Sequence, residues 1–347
     1  MGFDTISSLL GALPLPAVLI GREERVLGAN DRAEKLLGGQ IVGRHFITAL
    51  RQPTILDAIE NCLRDRTKRG TRYLSNDGAQ DTTFSVTCAP VDTEAGQAVL
   101  VSFEDVTHLE QAHQMRRDFV ANVSHELRSP LTSLLGFIET LQGPALGDAA
   151  ASERFLSIMA DEAGRMERLV HDLLSLSRVE EQMRVRPTDD VNLSDILRSV
   201  IHAMKTVAKD HDVNLVTDLP DGPIIVPGDA DQVQQVVTNL VENAIKYGGQ
   251  GKQVTLSLST TDRDATIRGP AAVIAVHDQG AGIDPTHIPR LTERFYRVDS
   301  HRSREVGGTG LGLAIVKHII GRHRGRLRID SELGQGSEFR VVLPLGA

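Results

Sequence analysis

Apolar residues between 119 and 141 fall at Val120, Val123, Leu127, Leu131, Leu134, Ile138 and Leu141, in steps of 3, 4, 4, 3, 4 and 3. That spacing puts them on one stripe of a helix. The two successive steps of four depart from a strict heptad, and such a departure unwinds a supercoil locally. His125 lies within that departure, so its ring is expected to face solvent. Pro130 lies there too, where a proline removes one backbone hydrogen bond and kinks a helix. Gly143-Pro144 and Gly147-Asp148 end the helix. A second stripe of Phe155, Met159, Met166, Leu169, Leu173 and Leu176 predicts a partner helix. Two such helices form a hairpin over residues 108–182, which alone buries little. Pairing with a second copy would make a four-helix bundle, the alternative being a monomeric hairpin packed on its neighbours.

The pattern before the hairpin differs. Val18-Leu19-Ile20 and Val26-Leu27 are short apolar runs split by the polar Gly21-Arg22-Glu23-Glu24, a hairpin-like break. Helical spacing follows at Ala33, Leu36 and Leu37, then at Ile55, Ala58, Ile59 and Leu63. Strand-like segments at Thr71–Leu74, Thr82–Ala89 and Ala98–Glu104 are separated by turns at Asn76-Asp77-Gly78 and Glu94-Ala95-Gly96. Two strands, helices and a three-stranded return, ending in Asp105-Val106-Thr107, resemble a PAS domain over residues 1–107.

After a polar linker at Arg184–Asp190, residues 191–347 alternate strand and helix patterns. Strands are predicted at Asn214–Asp218, Gln253–Thr260, Ala271–His277, Arg326–Asp330 and Glu338–Leu343. Helices are predicted at Leu193–Lys209, Ala230–Tyr247 and Gly310–His323. The fold class is therefore multidomain α+β.

Composition narrows the picture by exclusion. A chain of 347 residues that is 40% hydrophobic and 24% charged reads as soluble globular protein of two or three domains. Its net charge of −8 argues against nucleic acid as a partner. The two cysteines, Cys62 and Cys88, form no metal spacing and are expected as buried thiols in a reducing compartment. His45 and Cys62 are expected to be packed residues rather than ligands. No apolar run approaches the ~18 residues that span a bilayer, so the chain as read is expected to be cytoplasmic.

The chemistry concentrates in the last third. Asn239 and Asn243 share a helix face, and Lys246 follows by three. Amide oxygens suit a hard cation such as Mg²⁺, which also takes substrate phosphates, so Asn243 is the candidate metal ligand and Lys246 a phosphate contact. Asp278 closes an apolar strand ahead of Gly280 and Gly282, where a buried carboxylate accepts an adenine amino hydrogen and rejects guanine. Gly308-Thr309-Gly310-Leu311-Gly312 opens a helix, where backbone N–H groups can meet phosphate oxygens. Arg297–Glu305 is charged and reads as a lid, with Arg297 placed for the γ-phosphate. Gly334-Gln335-Gly336-Ser337 is explained equally by a plain turn. There is no P-loop sequence and no Ser/Thr/Tyr kinase signature. His125, mostly neutral near pH 7, carries a lone pair, and Glu126 can take the proton of its other ring nitrogen.

Phe119–Leu134 resembles the phospho-acceptor box of HisKA-type sensor histidine kinases. The blocks at Asn239–Tyr247, Asp278–Gly282, Arg294-Phe295-Tyr296-Arg297 with Gly308–Leu313, and Gly334–Ser337 are similar to the nucleotide boxes of that family. The resemblance implies a C-terminal α/β sandwich of the GHKL ATPase type and a homodimer. It also implies autophosphorylation of His125 from Mg-ATP, with Glu126 as general base, Tyr247 beside the adenine and Asp278 on its amino group. The phosphoryl group would pass to an aspartate of a response regulator. Within the family the chain resembles the PhoR branch, the phosphate-regulon sensors. That branch implies a PhoB-like regulator, a phosphate-uptake regulatory protein as partner and association with membrane complexes. Phosphatase activity in this family uses a Thr or Asn four residues after the histidine; here that position is Ser129, whose hydroxyl lacks the rotamer-fixing methyl. The competing readings are an ATP-binding scaffold with the fold of gyrase-type and Hsp90-type ATPases, which the His125-Glu126 pair argues against, and a regulator dominated by phosphatase activity.

Overall fold

The computed structural model describes residues 3–76, 81–94, 96–183, 185–249, 251–298 and 308–346, in two compact units, 1–121 and 122–347. In the first unit, α1 (Phe3–Gly11) precedes the hairpin of β1 (Ala17–Gly21) and β2 (Val26–Ala29). Three helices follow, α2 (Asp31–Leu37), α3 (Phe46–Ala49) and α4 (Pro53–Asp65), then β3 (Arg69–Asn76), β4 (Asp81–Thr93) and β5 (Gly96–Asp105). The sheet is antiparallel in the order β2-β1-β5-β4-β3. Val18 and Ile20 of β1 join Phe46, Ile55, Ile59, Cys62 and Phe103 in one core. Leu19, on the opposite face, joins Leu10 of α1. The alternation of a strand between two faces thus fills both sides of the sheet.

Asn30 shows why the chain turns where it does. Its Oδ1 accepts from Ala33 N at 3.0 Å, capping α2, and from Ala17 N at 3.1 Å. Its Nδ2 donates to the carbonyls of Leu10 and Leu15. One buried amide so ties α1, β1 and α2 together, with its donors and acceptor satisfied. Asp105 and Thr107 do similar work at the other end. Asp105 Oδ1 accepts from Thr107 N and Oγ1, and Thr107 Oγ1 accepts from Thr83 N of β4 at 3.0 Å.

Helix α5 (Thr107–Gln142) contains Pro130 within its length and is not interrupted there. It is followed by α6 (Ala149–Glu181), capped by Asp148. The rings of Phe137 and Phe155 stack at 5.4 Å across the hairpin. All six expected stripe positions of α6 are at least half-buried. On α5, Val123, Leu127, Leu134 and Leu141 are half-buried, whereas Val120, Leu131 and Ile138 stand exposed on this single chain.

The rest of the second unit is a two-layer α/β lobe. Its elements are β6 (Asp189–Asn192), α7 (Leu193–Asp210), β7 (Asn214–Asp218), β8 (Ile225–Gly228), α8 (Ala230–Tyr247), β9 (Gln253–Asp264), β10 (Gly269–Asp278), α9 (Gly312–Arg322), β11 (Arg326–Glu332) and β12 (Gly336–Pro344). The main sheet runs β11-β12-β10-β9-β7, with only β7 and β9 parallel. The end of the expected linker is itself a strand, since β6 pairs with β8 in a small second ribbon. Leu193, Leu197, Leu240, Ile245, Leu256 and Ile315 fill the space between the helices and the sheet. Burying one such side chain stabilises the lobe by about 1.5–3 kcal/mol. Among the described residues no helix is long and apolar enough to cross a membrane.

Candidate nucleotide site and phospho-acceptor hairpin

Helix α8 is folded by its apolar face. Val233, Val236, Val237, Leu240, Val241, Ala244 and Ile245 are buried, and Asp229 caps the first turn by accepting from Gln232 N. The steps of 3 and 1 leave Asn239, Glu242, Asn243 and Lys246 on the neighbouring face. That face lines a cavity of about 1130 Å³ together with Tyr247, Asp278, Gly282, Arg297, Gly308, Thr309, Gly310 and Gly312. Lys246 Nζ lies 3.3 Å from Glu242 Oε2, a carboxylate that the sequence pattern does not single out.

Asp278 ends β10, paired across to Val254 on one side and Ser337 on the other. It is 4% exposed and accepts from Gly280 N at 2.8 Å. Burial pushes its carboxyl above the ordinary value, against the lowering effect of that hydrogen bond. The glycines around it have a reason other than phosphate binding. A Cβ on Gly280 would lie 2.4 Å from Tyr247 O, one on Gly282 2.0 Å from Glu332 O, and one on Gly336 2.0 Å from Asp278 O. Gly282 and Gly336 also hold positive φ angles of 70° and 109°. These glycines let three chain segments close behind Asp278. Gly280 does not line the cavity, so it supports the floor rather than forming it.

The glycine loop divides in the same way. Gly310 has φ 73°, and its carbonyl accepts from Phe295 N at 2.8 Å. A Cβ at Gly310 would lie 2.9 Å from Phe295 Cα, so this glycine fits the loop against the Phe295 backbone. A Cβ at Gly312 would meet only Asn239, at an ordinary 3.5 Å, so the space between α8 and the start of α9 is open to a ligand. Leu311 is fully buried and absent from the cavity wall, and caps α9 by its backbone alone. Its side chain belongs to the core, while its backbone stands at the start of α9. Of the expected lid, only Arg297 and Val298 lie within the described residues, and 299–307 fall outside them.

The opposite wall of the cavity comes from α6, through residues including Arg168, His171, Asp172 and Ser175. Asp172 Oδ2 accepts from Thr309 Oγ1 at 2.7 Å, and burial raises its carboxyl from the ordinary value. Gln235 Nε2 donates to Ser175 Oγ at 2.8 Å, and Arg294 and His318 both face Glu180. None of these α6 positions is legible in the sequence, because helical periodicity marks the apolar stripe and leaves its polar flanks unassigned.

His125 is exposed on α5, as its place in the stripe predicts. Ser129 Oγ donates to His125 O at 3.2 Å, a bond within its own helix. Glu126 is held by two guanidinium groups. Arg165 Nη2 of α6 lies 3.1 Å from Glu126 Oε2, and Arg297 Nη2 lies 3.3 Å from it. Arg297 also donates to Gly308 O. Glu126, Pro130, Arg165 and Thr309 line one small crevice, so the glycine loop abuts the hairpin beside the histidine. In the first unit Cys62 and Cys88 are buried free thiols, the latter pushed up to about 12 by burial. The His45 ring stacks on the buried Phe46 at 5.3 Å, is otherwise partly exposed, and lies 3.0 Å from Glu24.

A nucleotide fits these residues. Asn239 Nδ2 is buried with no hydrogen-bond partner among the described residues, which is a donor awaiting an acceptor. The described residues hold no cluster of three His, Cys, Asp or Glu side chains suited to a metal, so a cation here would depend on Asn243 and on ligand phosphates.

Two family descriptions match the chain: His Kinase A (phospho-acceptor) domain over residues 115–182, and Histidine kinase-, DNA gyrase B-, and HSP90-like ATPase over residues 228–347. The chain is 40% identical over 240 residues to the phosphate regulon sensor protein PhoR of Pseudomonas aeruginosa, a stretch covering 69% of this chain and 52% of that protein. It is 33% identical over 331 residues to the sensor protein kinase WalK of Staphylococcus aureus, covering 93% of this chain and 76% of that protein. The chain thus spans about half the length of the first of these relatives. The histidine kinase ThkA, solved in complex with the response regulator protein TrrA, shares the fold at a TM-score of 0.53 and 21% identity, with 98% of each chain covered. A phospho-acceptor hairpin followed by an ATPase-type lobe is the composition of a protein-histidine kinase. The chain belongs to the sensor histidine kinases of two-component systems.

Proposed function

We propose that this chain is an ATP-dependent kinase that phosphorylates its own His125 and passes the phosphoryl group to an aspartate of a response regulator. The observation that carries this reading is the abutment of the cavity's phosphate end on the hairpin. Arg297 reaches Glu126, and Glu126 is next to the exposed His125. ATP would lie with its adenine at Asp278 and Tyr247 and its phosphates toward Lys246, Thr309 and the N–H groups opening α9. Asn243, with Asn239 beside it, would hold Mg²⁺, which supplies neutralisation of charge developing on the phosphates.

The chain's own residues do the rest by position. An imidazole nitrogen of His125 bonds to the γ-phosphorus as the bond from that phosphorus to the bridging oxygen breaks and ADP leaves. Glu126 takes the proton of the other ring nitrogen, and Arg297 meets charge on the transferring group. In the second step a regulator carboxylate oxygen bonds to phosphorus, the N–P bond breaks, and the imidazole is restored. Ser129 is the candidate for orienting water in dephosphorylation of the regulator. Its hydroxyl must first leave the His125 carbonyl.

The exposed Leu131, Leu135 and Ile138 support a homodimer in which two hairpins form a four-helix bundle. The antiparallel sheet of residues 1–107 supports a PAS-like sensor or interaction module. A PhoB-like regulator, control by a phosphate-uptake regulatory protein and a role in phosphate starvation are supported by the likeness to PhoR. The likeness to WalK, over more of the chain, supports a different output equally well.

Incubation with γ-labelled Mg-ATP tests the reading. The expected product is a labelled protein whose label is lost in acid, as a phosphoramidate is, and which His125→Ala abolishes while ATP binding survives. Acid-stable label, or label that persists in the variant, refutes it. Transfer from the labelled chain to the purified regulator partners of PhoR and of WalK separates the two outputs.

A further inference from the structure

Two groups that the proposed reading gives to the triphosphate are each engaged by a carboxylate of the hairpin. Thr309 donates its hydroxyl to Asp172 at 2.7 Å, and Arg297 faces Glu126 at 3.3 Å. Glu126 has a role in that reading, and Asp172 has none. Asp172 lies on α6, on the cavity wall that faces Asn243 and Lys246. Lys246 and Glu242 are its charged neighbours in the lobe, and His171 adjoins it on α6.

We infer that Asp172 determines nucleotide affinity: its carboxylate occupies, on Thr309, the place of a phosphate oxygen, so that a bound triphosphate must expel it and free this part of α6 from the lobe. The inference rests on the ATP reading of the cavity. A threonine hydroxyl has one hydrogen to donate and cannot serve a carboxylate and a phosphate at once. Two anions so placed also repel, and the repulsion is only partly screened in a half-buried cavity. Burial raises the Asp172 carboxyl, so the ionised group sits there at some cost, which displacement relieves. Leu176 and Val179, buried farther along α6, remain as an attachment when the Asp172 contact opens. The nucleotide-free lobe is thereby docked by a contact that competes with its own substrate, and any signal that presses α6 onto the lobe raises the ATP concentration needed for reaction.

Calorimetry on the full chain with Mg²⁺ tests this, using a non-hydrolysable ATP analogue, ADP and adenosine as probes. Asp172→Ala is expected to bind the triphosphate analogue roughly tenfold more tightly than the unaltered chain, the equivalent of one hydrogen bond to a charged group. The gain should shrink for ADP and vanish for adenosine. Asp172→Asn, which keeps an acceptor and loses the charge, should gain less. A tighter complex cannot arise from misfolding. Unchanged or weaker binding of the triphosphate analogue would overturn the inference, as would an equal gain for adenosine, since that would mean simple opening of the cavity. Absence of any nucleotide binding by the unaltered chain would overturn both the inference and the ATP reading beneath it.

Discussion

Arg297 Nη2 lies 3.3 Å from Glu126 Oε2, although 171 residues separate the two in the chain. Arg165 holds the same carboxylate oxygen from α6. Neither partner is placed here for its proposed role. Glu126 faces guanidinium groups rather than the imidazole, and Arg297 is neutralised by a carboxylate rather than by phosphate. In the proposed reading a catalytic step therefore needs both to be released together, with ATP as the competing anion.

In the proposed reading the guanidinium then acts on the transition state. Arg297→Met is expected to lower the single-turnover rate of His125 phosphorylation at saturating ATP by about 10²–10³-fold, the usual cost of removing one preorganised donor. Arg297→Lys should recover only part of it, because an ammonium lacks the planar fork. Rapid-quench measurement of acid-labile phosphoprotein reads the effect. An undiminished rate in Arg297→Met would remove the arginine from the chemistry and leave it as a docking residue.

Asp278 sets recognition against stability. Its folded pKa is raised by burial, so the native state binds the proton more tightly than the unfolded chain does. The ionised group therefore costs stability at neutral pH, and the cost is relieved as pH falls through the raised folded value. Asp278→Asn should raise the melting temperature near pH 7, and that advantage should shrink as the pH is lowered. The same substitution should weaken ATP binding by about 10²-fold, because a donor then faces the adenine amino group. Thermal melts against pH and calorimetry with the ATP analogue give the two halves. A variant that binds ATP normally would place adenine elsewhere.

Much of this architecture is written locally in the chain, and the rest is not. Helix α8 is legible end to end because Asp229 caps it, Gly248 follows it, and its buried positions repeat at helical spacing. The long strands of both sheets declare themselves by apolar runs between turns. The ribbon of β6 and β8 does not: each strand has four residues, β8 contains Pro227, and their pairing spans the whole of α7. The nucleotide blocks meet around one cavity, but the packing reason for some of their glycines is hidden in the sequence. Gly280 and Gly336 are required by backbone approach to Tyr247 and Asp278, which only the folded chain brings near. Asp172–Thr309 and Glu126–Arg297 are illegible for the same reason. Leu131 and Ile138 show the opposite limit, since their stripe is plain in the sequence while one chain supplies them no cover.

His323 gives a pH dependence whose sign follows from two hydrogen bonds. The residue is 1% exposed. Its Nε2 lies 3.0 Å from Asp229 N, which can only donate, and its Nδ1 lies 2.8 Å from Ile319 O, which can only accept. The ring is therefore neutral, with its hydrogen on Nδ1. Protonation would set an N–H of the ring against the backbone N–H at the start of α8, next to Arg322, which pairs with Asp229. Burial accordingly lowers the His323 pKa. Between that value and the ordinary 6.5 the unfolded chain binds more protons than the native one, so stability falls as pH drops below about 6.5. His318, whose pKa is also lowered by burial, acts in the same direction. His323→Gln should cost about 1–3 kcal/mol near pH 7, through imperfectly paired buried groups, and should flatten the slope between pH 7 and 5.5. Because the chain has no Trp, urea unfolding followed by far-UV circular dichroism is the suitable measurement. An unchanged slope in the variant would mean that His323 is protonated in the native lobe or does not titrate in that range, and would shift the effect to His318.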